Sequence, residues 1–257
     1  MIQLGELTAV AESDGVDAMV VERDYVIHHV MASIGRTRAA EQLQFKGGTA
    51  IRLCHERDYR YSADIDLNVV SGTRDSAVAS IRDALEDCLA RVGFSHLVLA
   101  PDGKGISYVG PTRRPRNFKV DIDDAEFIAD VGNREHIITR YSDEVEGVEL
   151  KVYNRAEILA EKFRCVMQRL QCRDLYDIWF LTLNGHAVAS DAGSIFPGKA
   201  RQKGLDPETF CTRFRVREEQ YRERWANELS PYLADPPDVR RVLRDVKRAL
   251  RQAGLLP

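Results

Sequence analysis

The feature that most constrains this 257-residue chain is the segment ADIDLNVV at 63–70, a strand pattern that carries two carboxylates. Because side chains alternate between the faces of a strand, Asp64 and Asp66 share one face, and Ile65 and Leu67 share the other. Neighbouring carboxylates repel each other and are costly to desolvate, and a divalent cation removes that cost. Mg²⁺ typically takes one or two carboxylates and leaves its other positions to water and substrate phosphates. The segment therefore predicts a magnesium-binding strand, although solvated acids on the wet face of an edge strand would give the same pattern.

Two glycines precede this strand, where the strand pattern QLQFK changes to the helical pattern TAIRLCHE. Glycine lets the backbone approach a ligand closely, and the N-terminus of the following helix offers N–H groups to phosphate. Ser62 lies two residues before Asp64 and shares its face if the strand begins that early. We therefore expect Gly47, Gly48 and Ser62 to lie around a phosphate group near the carboxylates.

A third carboxylate occurs in the strand pattern NFKVDID at 117–123, where Asp121 and Asp123 share one face. If this strand lies beside 63–70, Asp121 joins the two aspartates there in a three-carboxylate site of the kind that serves two-metal chemistry. Either Asp121 or Asp123 could complete that site. Since the stretch up to Glu149 is generally acidic, both could also be ordinary surface residues.

The pattern along the chain changes near residue 150, from alternating strands and helices to helices alone. Strands are predicted at 42–48, 63–70, 94–100, 105–110, 117–123 and 148–153, and helices at 17–38, 49–56, 75–91, 154–170 and 173–183. Asn154 is the expected N-cap of the first helix in the second half, with Glu157 at the capping-box position. A loop containing Gly, Ser and Pro should follow, and then two or three basic helices. The fold class is therefore α+β over 1–150 and α-helical over 151–257.

Four elements in one order over residues 45–181 carry a family resemblance: GGT at 47–49, RYSADIDL at 60–67, an E-K-x-x-x-x-x-x-R element at 161–169 and R-D-x-x-D-I at 173–178. Together they resemble the polymerase-beta-like nucleotidyltransferase toxins of the AbiEii/AbiGii group, which includes the mycobacterial MenT toxins. The resemblance implies a polymerase-beta-like mixed sheet with helices over 1–150, followed by a helical domain over 151–257 that completes the nucleotide pocket. The last 70 residues match nothing specific in that family.

The resemblance also implies an activity, the transfer of a nucleoside monophosphate from an NTP to an acceptor with release of pyrophosphate. In that reaction Asp64 and Asp66 would hold Mg²⁺, and Asp121 would be the third metal ligand or the general base for the acceptor hydroxyl. Gly47, Gly48 and Ser62 would cradle the β- and γ-phosphates. The acceptor would be the 3′ end of tRNA, so that the protein blocks translation as a toxin restrained by a separately encoded antitoxin.

Lys162 lies on the helical pattern that begins at Asn154, where it could point to solvent or reach a triphosphate as a point charge. Asp174 and Asp177 are three residues apart on the next helix. Their acids could cap that helix or pair with Arg169 or Arg173. The resemblance instead implies that Lys162 neutralises the triphosphate, that Asp174 orients Lys162 or the nucleotide, and that Asp177 supports the nucleotide site.

Charge is distributed unevenly, since residues 201–257 hold 13 Lys and Arg against 9 Asp and Glu in a chain of net charge −3. In the final helix the basic residues lie opposite an apolar stripe, which is also the ordinary appearance of an amphipathic surface helix. Both that helix, at 240–251, and the basic loop RRPR at 113–116 could contact RNA phosphates, or could simply be solvated.

The chain shows no apolar run that could span a membrane and no signal peptide, and its five cysteines lack zinc spacing, so we expect a cytoplasmic protein with reduced thiols. Two other functions stay open. The enzyme could transfer AMP to a protein hydroxyl, or the chain could be a catalytically degenerate nucleotide-binding module of phage defence.

Overall fold

In the computed structural model, which describes residues 1–130, 132–143 and 147–257, the chain divides into two units. The first comprises 1–125 together with 132–153, and the second comprises 126–131 together with 154–257. Among the described helices, none has the length and apolar character needed to cross a membrane.

The centre of the first unit is a seven-stranded mixed sheet with the order β3-β4-β5-β2-β1-β7-β6. Its strands are β1 (Leu43–Lys46), β2 (Ile65–Val69), β3 (His96–Leu99), β4 (Gly105–Val109), β5 (Pro115–Asp123), β6 (Asn133–His136) and β7 (Glu149–Val152). The β2–β5 and β1–β7 pairs are parallel and the remaining pairs are antiparallel. The prediction of an α+β fold with a mixed sheet is therefore confirmed.

The helices of the first unit are α1 (Leu4–Asp14), α2 (Ala18–Arg36), α3 (Ala39–Gln42), α4 (Gly47–Ala50), which continues as a π-helical turn over Ile51–His55, and α5 (Arg74–Val92). Local capping explains where two of them begin. The Asp17 carboxylate accepts the Met19 N–H at the start of α2, and Thr73 and Ser76 form a reciprocal capping box at the start of α5. The predicted helices at 17–38 and 75–91 are confirmed, whereas α1, α3 and β6 were not predicted.

The second unit is helical and consists of α6 (Arg155–Gln168), α7 (Cys172–Thr182), α8 (Ala189–Gln202), α9 (Phe210–Leu229) and α10 (Val239–Gln252). The Asn154 side chain accepts the Glu157 N–H and caps α6 as predicted. The Glu157 carboxylate, however, is paired with Lys199 at 2.7 Å, which is a role that the capping-box prediction did not include.

The predicted loop between the second helix and the basic helices is wrong, because residues 189–202 form α8 with Pro197 inside it. Ala192, Phe196 and Ala200 are fully buried on one face of this helix. Burial of that face outweighs the low helix propensity of the Gly, Ser and Pro residues in the segment.

The prediction of a basic loop at 113–116 is also wrong in part. The strand β5 begins at Pro115, and Arg116 lies opposite Tyr108 of β4 in the sheet. The Arg116 guanidinium is 3.1 Å from the Glu22 carboxylate, which is fully buried. Only Arg113 and Arg114 therefore lie in the loop, and both are exposed.

Candidate active site

The two carboxylates of the DxD pattern lie at the start of β2, in the middle of the sheet. Asp66 is in the strand, and Asp64 directly precedes it. Both are half-buried, whereas Ile65 and Leu67 on the opposite face are 1% exposed. The predicted alternation is thus present. Because β2 has a neighbouring strand on each side, the pair is not on an edge strand, which removes the alternative that explained these acids by a wet sheet edge.

The strand β5 brings a third carboxylate to the same place. The parallel register pairs Asp66 with Asp121 and Asn68 with Asp123. Asp121 is therefore the immediate neighbour of Asp66, while Asp123 lies one pleat repeat farther along, or roughly 7 Å. The side chain of Asp121 is 60% exposed, and its Oδ2 is 3.3 Å from Lys119 Nζ. Asp123 accepts the Ala125 N–H at 3.0 Å, at the point where β5 ends.

The glycine pair packs directly against these residues. Gly47 has φ +78°, and a Cβ at this position would overlap the Asp66 carboxylate. At Gly48 a Cβ would lie 2.9 Å from Arg60 Nη2 and 3.3 Å from Ser62 Oγ. Both glycines thus permit a close approach that any larger residue would block. They also begin the helical segment that runs through α4 and its π-helical turn.

The segment before β2 carries the remaining predicted phosphate group, Ser62. Because the strand begins only at Ile65, Ser62 lies outside it, but its hydroxyl still faces Gly48. The Thr49 hydroxyl donates to the Asp64 carbonyl and ties this segment to α4. Arg60 is buried beside the same glycine and donates to the Tyr61 carbonyl at 2.9 Å. One guanidinium, one hydroxyl and the start of a helix are therefore grouped at Gly48.

Two residues of this site were not assigned a function from the sequence. Arg60 was recognised only as a motif position, although its guanidinium lies next to Gly48. Lys46 lies opposite Asp66 in the antiparallel β1–β2 register and is nearly buried. The sequence signal for Lys46 was its position directly before the glycine pair, at the end of a strand pattern.

The oxygen ligands of the site suit a hard cation such as Mg²⁺, for which two carboxylates are a usual number. Among the residues that the structure describes, no three His, Cys, Asp or Glu side chains are gathered as a metal-binding group. Asp64 and Asp66 are suitable metal ligands, whereas one oxygen of Asp121 is in contact with Lys119.

A buried ion pair lies behind the site in the first unit. Arg52, in the π-helical turn, pairs with Asp24 of α2 through Nε at 2.6 Å and Nη2 at 3.2 Å. It also donates to the Tyr59 carbonyl at 2.5 Å, and its guanidinium lies 3.7 Å from the centre of the Tyr61 ring. Burial raises the pKa of Asp24, but the charges of Arg52 and His28 outweigh it and hold that pKa below its ordinary value. This pair fixes the segment that leads to Asp64.

The family-motif residues of the second unit form a separate buried cluster. Lys162 Nζ lies 3.1 Å from Asp174 Oδ1 and 2.7 Å from Asp177 Oδ2, and all three side chains are buried. Arg169 Nε lies 2.8 Å from Asp174 Oδ2. Burial raises the pKa of Asp174, but Lys162 and Arg169 overcome this effect and lower it. The pairing of Asp174 with Arg169, which the sequence offered as an alternative to a nucleotide role, is present, and Lys162 does not point freely into solvent.

Comparison with known proteins identifies the family and the fold. The family model described as the nucleotidyl transferase AbiEii toxin of type IV toxin–antitoxin systems matches residues 29–252. Among solved structures, the chain is similar to MenT4, a nucleotidyltransferase toxin from Mycobacterium tuberculosis H37Rv, with 18% identity, a TM-score of 0.65, and coverage of 99% of this chain and 94% of that one. It is also similar in fold to a putative nucleotidyltransferase from H. pylori, with 13% identity, a TM-score of 0.51, and coverage of 93% and 94%. No curated protein matches the chain significantly.

The family match covers most of the chain, and the first solved structure shares the fold over nearly the whole length. The chain therefore belongs to the AbiEii family of nucleotidyltransferase toxins, whose substrate is an NTP and whose partner is an antitoxin.

Proposed function

We propose that the protein is a magnesium-dependent toxin that transfers a nucleoside monophosphate from an NTP to the 3′ end of tRNA and so blocks translation. The observation that carries the catalytic part is the register that sets Asp121 beside Asp66, with Gly47 packed against the Asp66 carboxylate. Three acids beside a glycine-lined helix start match the requirements of phosphoryl-group chemistry, which needs charge neutralisation and close positioning.

In this proposal the acceptor hydroxyl oxygen attacks the α-phosphorus of the NTP, and the bond to pyrophosphate breaks. The chain's own residues hold the reactants. Asp64 and Asp66 bind Mg²⁺, which neutralises phosphate charge when it is present. Asp121 would take the proton from the acceptor hydroxyl, or would be the third metal ligand, in which case the proton would pass to water. Gly47, Gly48 and Ser62 receive the β- and γ-phosphates.

In this proposal the helical domain, residues 151–257, contributes its own residues to nucleotide binding. Lys162 would neutralise the triphosphate, and Asp174 and Asp177 would orient its ammonium group. The separations of 3.1 Å and 2.7 Å support the orienting part, because two carboxylates fix a lysine that would otherwise sample many rotamers. A nucleotide must compete with these acids for the ammonium group.

The choice of tRNA as acceptor rests on the basic character of the C-terminal residues together with the family. A polyanion needs positive charge on the protein to hold it, and residues 201–257 carry the excess of Lys and Arg. The proposal places the reaction in the cytoplasm, where tRNA, NTP and a separately encoded antitoxin meet. Limiting the growth of an infected cell would make such a toxin a phage-defence protein.

The experiment that tests this function is incubation of the protein with each α-labelled NTP, Mg²⁺, and total RNA or total protein in parallel. We expect label in the tRNA fraction, confined to the 3′ nucleotide after nuclease digestion, and none when EDTA replaces Mg²⁺. Label in a protein band and none in RNA would replace tRNA by a protein hydroxyl as acceptor. Absence of label with every NTP in both fractions would favour a degenerate nucleotide-binding module.

A further inference from the structure

A groove in the second unit lies between the end of α7 and the outer face of α10. Its cavity is about 450 Å³, and α7 contributes Trp179 and Thr182 to one wall. Three arginines of α10, Arg241, Arg244 and Arg248, line the other wall. We call this feature the arginine groove. It contains three of the six basic residues of the final helix.

The arginines of the groove share one carboxylate. The Asp245 oxygens lie 3.9 Å from Arg241, 3.3 Å from Arg244 and 3.7 Å from Arg248. Three guanidinium groups and one carboxylate give the groove a net charge of +2. The arginine side chains are more than half exposed, so these ion pairs are weak and the guanidinium groups can turn to another anion at little cost.

The wall opposite the arginines is formed by a nearly buried tryptophan. Trp179 is nearly buried, and its indole N–H donates to Asp245 Oδ2 at 3.4 Å. The Arg241 guanidinium lies 5.9 Å from the centre of the Trp179 ring. The tryptophan therefore contacts the carboxylate around which the arginines are arranged.

The chemistry of the groove, three guanidinium groups with an excess of positive charge, favours a phosphate-bearing strand. A guanidinium presents a planar donor fork that matches phosphate oxygens, and a cavity of this volume holds one or two nucleotide units. We propose that the arginine groove binds backbone phosphates of RNA. The proposal names a surface that would hold the proposed tRNA acceptor. It rests on the proposed function only for the choice of RNA.

The test measures binding of fluorescently labelled deacylated tRNA to the full-length protein as salt is varied. The groove variant is Arg241→Gln/Arg244→Gln/Arg248→Gln. The matched control is Arg201→Gln/Arg213→Gln/Arg215→Gln, which changes three exposed arginines of the same unit and lowers the net charge equally. We expect the groove variant to lose about tenfold or more in affinity near physiological salt, and its slope of log K against log salt to flatten by about two. The control should change the affinity only slightly.

A second variant changes the affinity in the opposite direction. Asp245→Asn keeps an oxygen that can accept the Trp179 N–H but removes the charge that the three arginines share. We expect it to bind tRNA several-fold more tightly than the wild type. A misfolded protein would not gain affinity, so this result separates a binding groove from a structural role of α10.

The outcomes distinguish this inference from the proposed function. If label from NTP appears in protein and not in RNA, the proposal of tRNA as acceptor is wrong. The proposed RNA binding by the groove is still supported if the groove variant, and not the control, loses tRNA affinity. If groove and control variants bind tRNA equally well, the groove is wrong even when tRNA is labelled. Loss of binding to poly-L-glutamate with unchanged tRNA binding would make the groove a site for acidic polypeptide and overturn the proposal.

Discussion

At the scale of single residues, Gly47 is the backbone position that packs directly against the Asp66 carboxylate. Its φ of +78° favours glycine, and a Cβ there would overlap the Asp66 carboxylate. We predict that Gly47→Ala lowers the free energy of unfolding by about 1–3 kcal/mol and abolishes nucleotide transfer. Gly93→Ala is the matched control, because Gly93 has φ +79° with no atom near the added methyl group. Equal loss of activity in both variants, measured by label transfer beside urea denaturation, would contradict the packing of Gly47 on Asp66.

The carboxylates themselves give the next prediction. Asp66→Asn or Asp64→Asn should reduce transfer more than about a hundredfold, which exceeds the usual effect of groups that only support a metal ligand. Removing one of two crowded charges should not lower the melting temperature measured without metal. A variant that keeps wild-type transfer rates would remove its carboxylate from the mechanism, and a variant that melts early would make it a structural residue.

Some residues of the site could be assigned from the sequence and others could not, for physical reasons. Strand alternation places Asp64 and Asp66 on one face whatever the tertiary fold. The choice between Asp121 and Asp123 needed the register of β2 with β5, which depends on contacts distant in sequence. The residues alone did not predict the burial of Lys162, because its two partners lie on another helix, although the family resemblance implied Asp174 as one of them.

At the scale of elements, α8 shows why composition misled the prediction. Its glycines indicate a loop, yet they are places of close approach. A Cβ on Gly198 would lie 2.7 Å from the Phe127 ring, and one on Gly193 would overlap the Ala253 carbonyl. A single sequence does not distinguish a glycine that allows close packing from a glycine that marks a loop. Strand β6 was missed because NREH has no apolar alternation.

The contact between α2 and the π-helical turn depends on Asp24 and predicts a pH dependence of stability. The folded-state pKa of Asp24 lies below the unfolded value of about 3.9. Its stabilisation is therefore present above that pH and is lost as the pH falls below it. We predict that Asp24→Asn lowers the free energy of unfolding at pH 6 by about 3–5 kcal/mol and makes it fall less steeply toward pH 3.

The control for Asp24 is Asp87→Asn, which breaks the more exposed pair between Asp87 and Arg91. That change should cost less than about 1 kcal/mol. Urea denaturation at pH 6 and at pH 3 measures all three proteins. If the two variants lose the same stability at pH 6, the Asp24–Arg52 pair does not hold these elements together.

The pairing of α6 with α7 depends in the same way on Lys162. Lys162→Met would leave Asp174 and Asp177 buried with one fewer positive charge, and should cost about 3–5 kcal/mol in the absence of nucleotide. Arg169→Gln should cost less, since the Arg169 side chain is 49% exposed. A Lys162→Met protein as stable as the wild type would show that the ammonium group is not committed to these acids before nucleotide binds.

At the scale of the whole molecule, the two units are built differently. The first is a mixed sheet with carboxylates in its middle strands, and the second is a helical unit that also includes residues 126–131. Lys199, fully buried in α8, donates to the Phe127 carbonyl at 2.9 Å and pairs with Glu157 at 2.7 Å, which fastens that segment to the helices. The sequence indicated a change near residue 150 but not this return of an earlier segment, because no local pattern encodes it.

The central claim is that transfer takes place where β2 and β5 lie side by side, with Asp121 next to Asp66. The most direct measurement compares the rates of label transfer from NTP by Asp121→Asn and Asp123→Asn at the same Mg²⁺ concentration. These two acids share a strand face and differ by one pleat repeat. The account predicts that Asp121→Asn loses transfer by more than about a hundredfold while Asp123→Asn stays within a few-fold of the wild type. A fully active Asp121→Asn protein beside an inactive Asp123→Asn protein would contradict it.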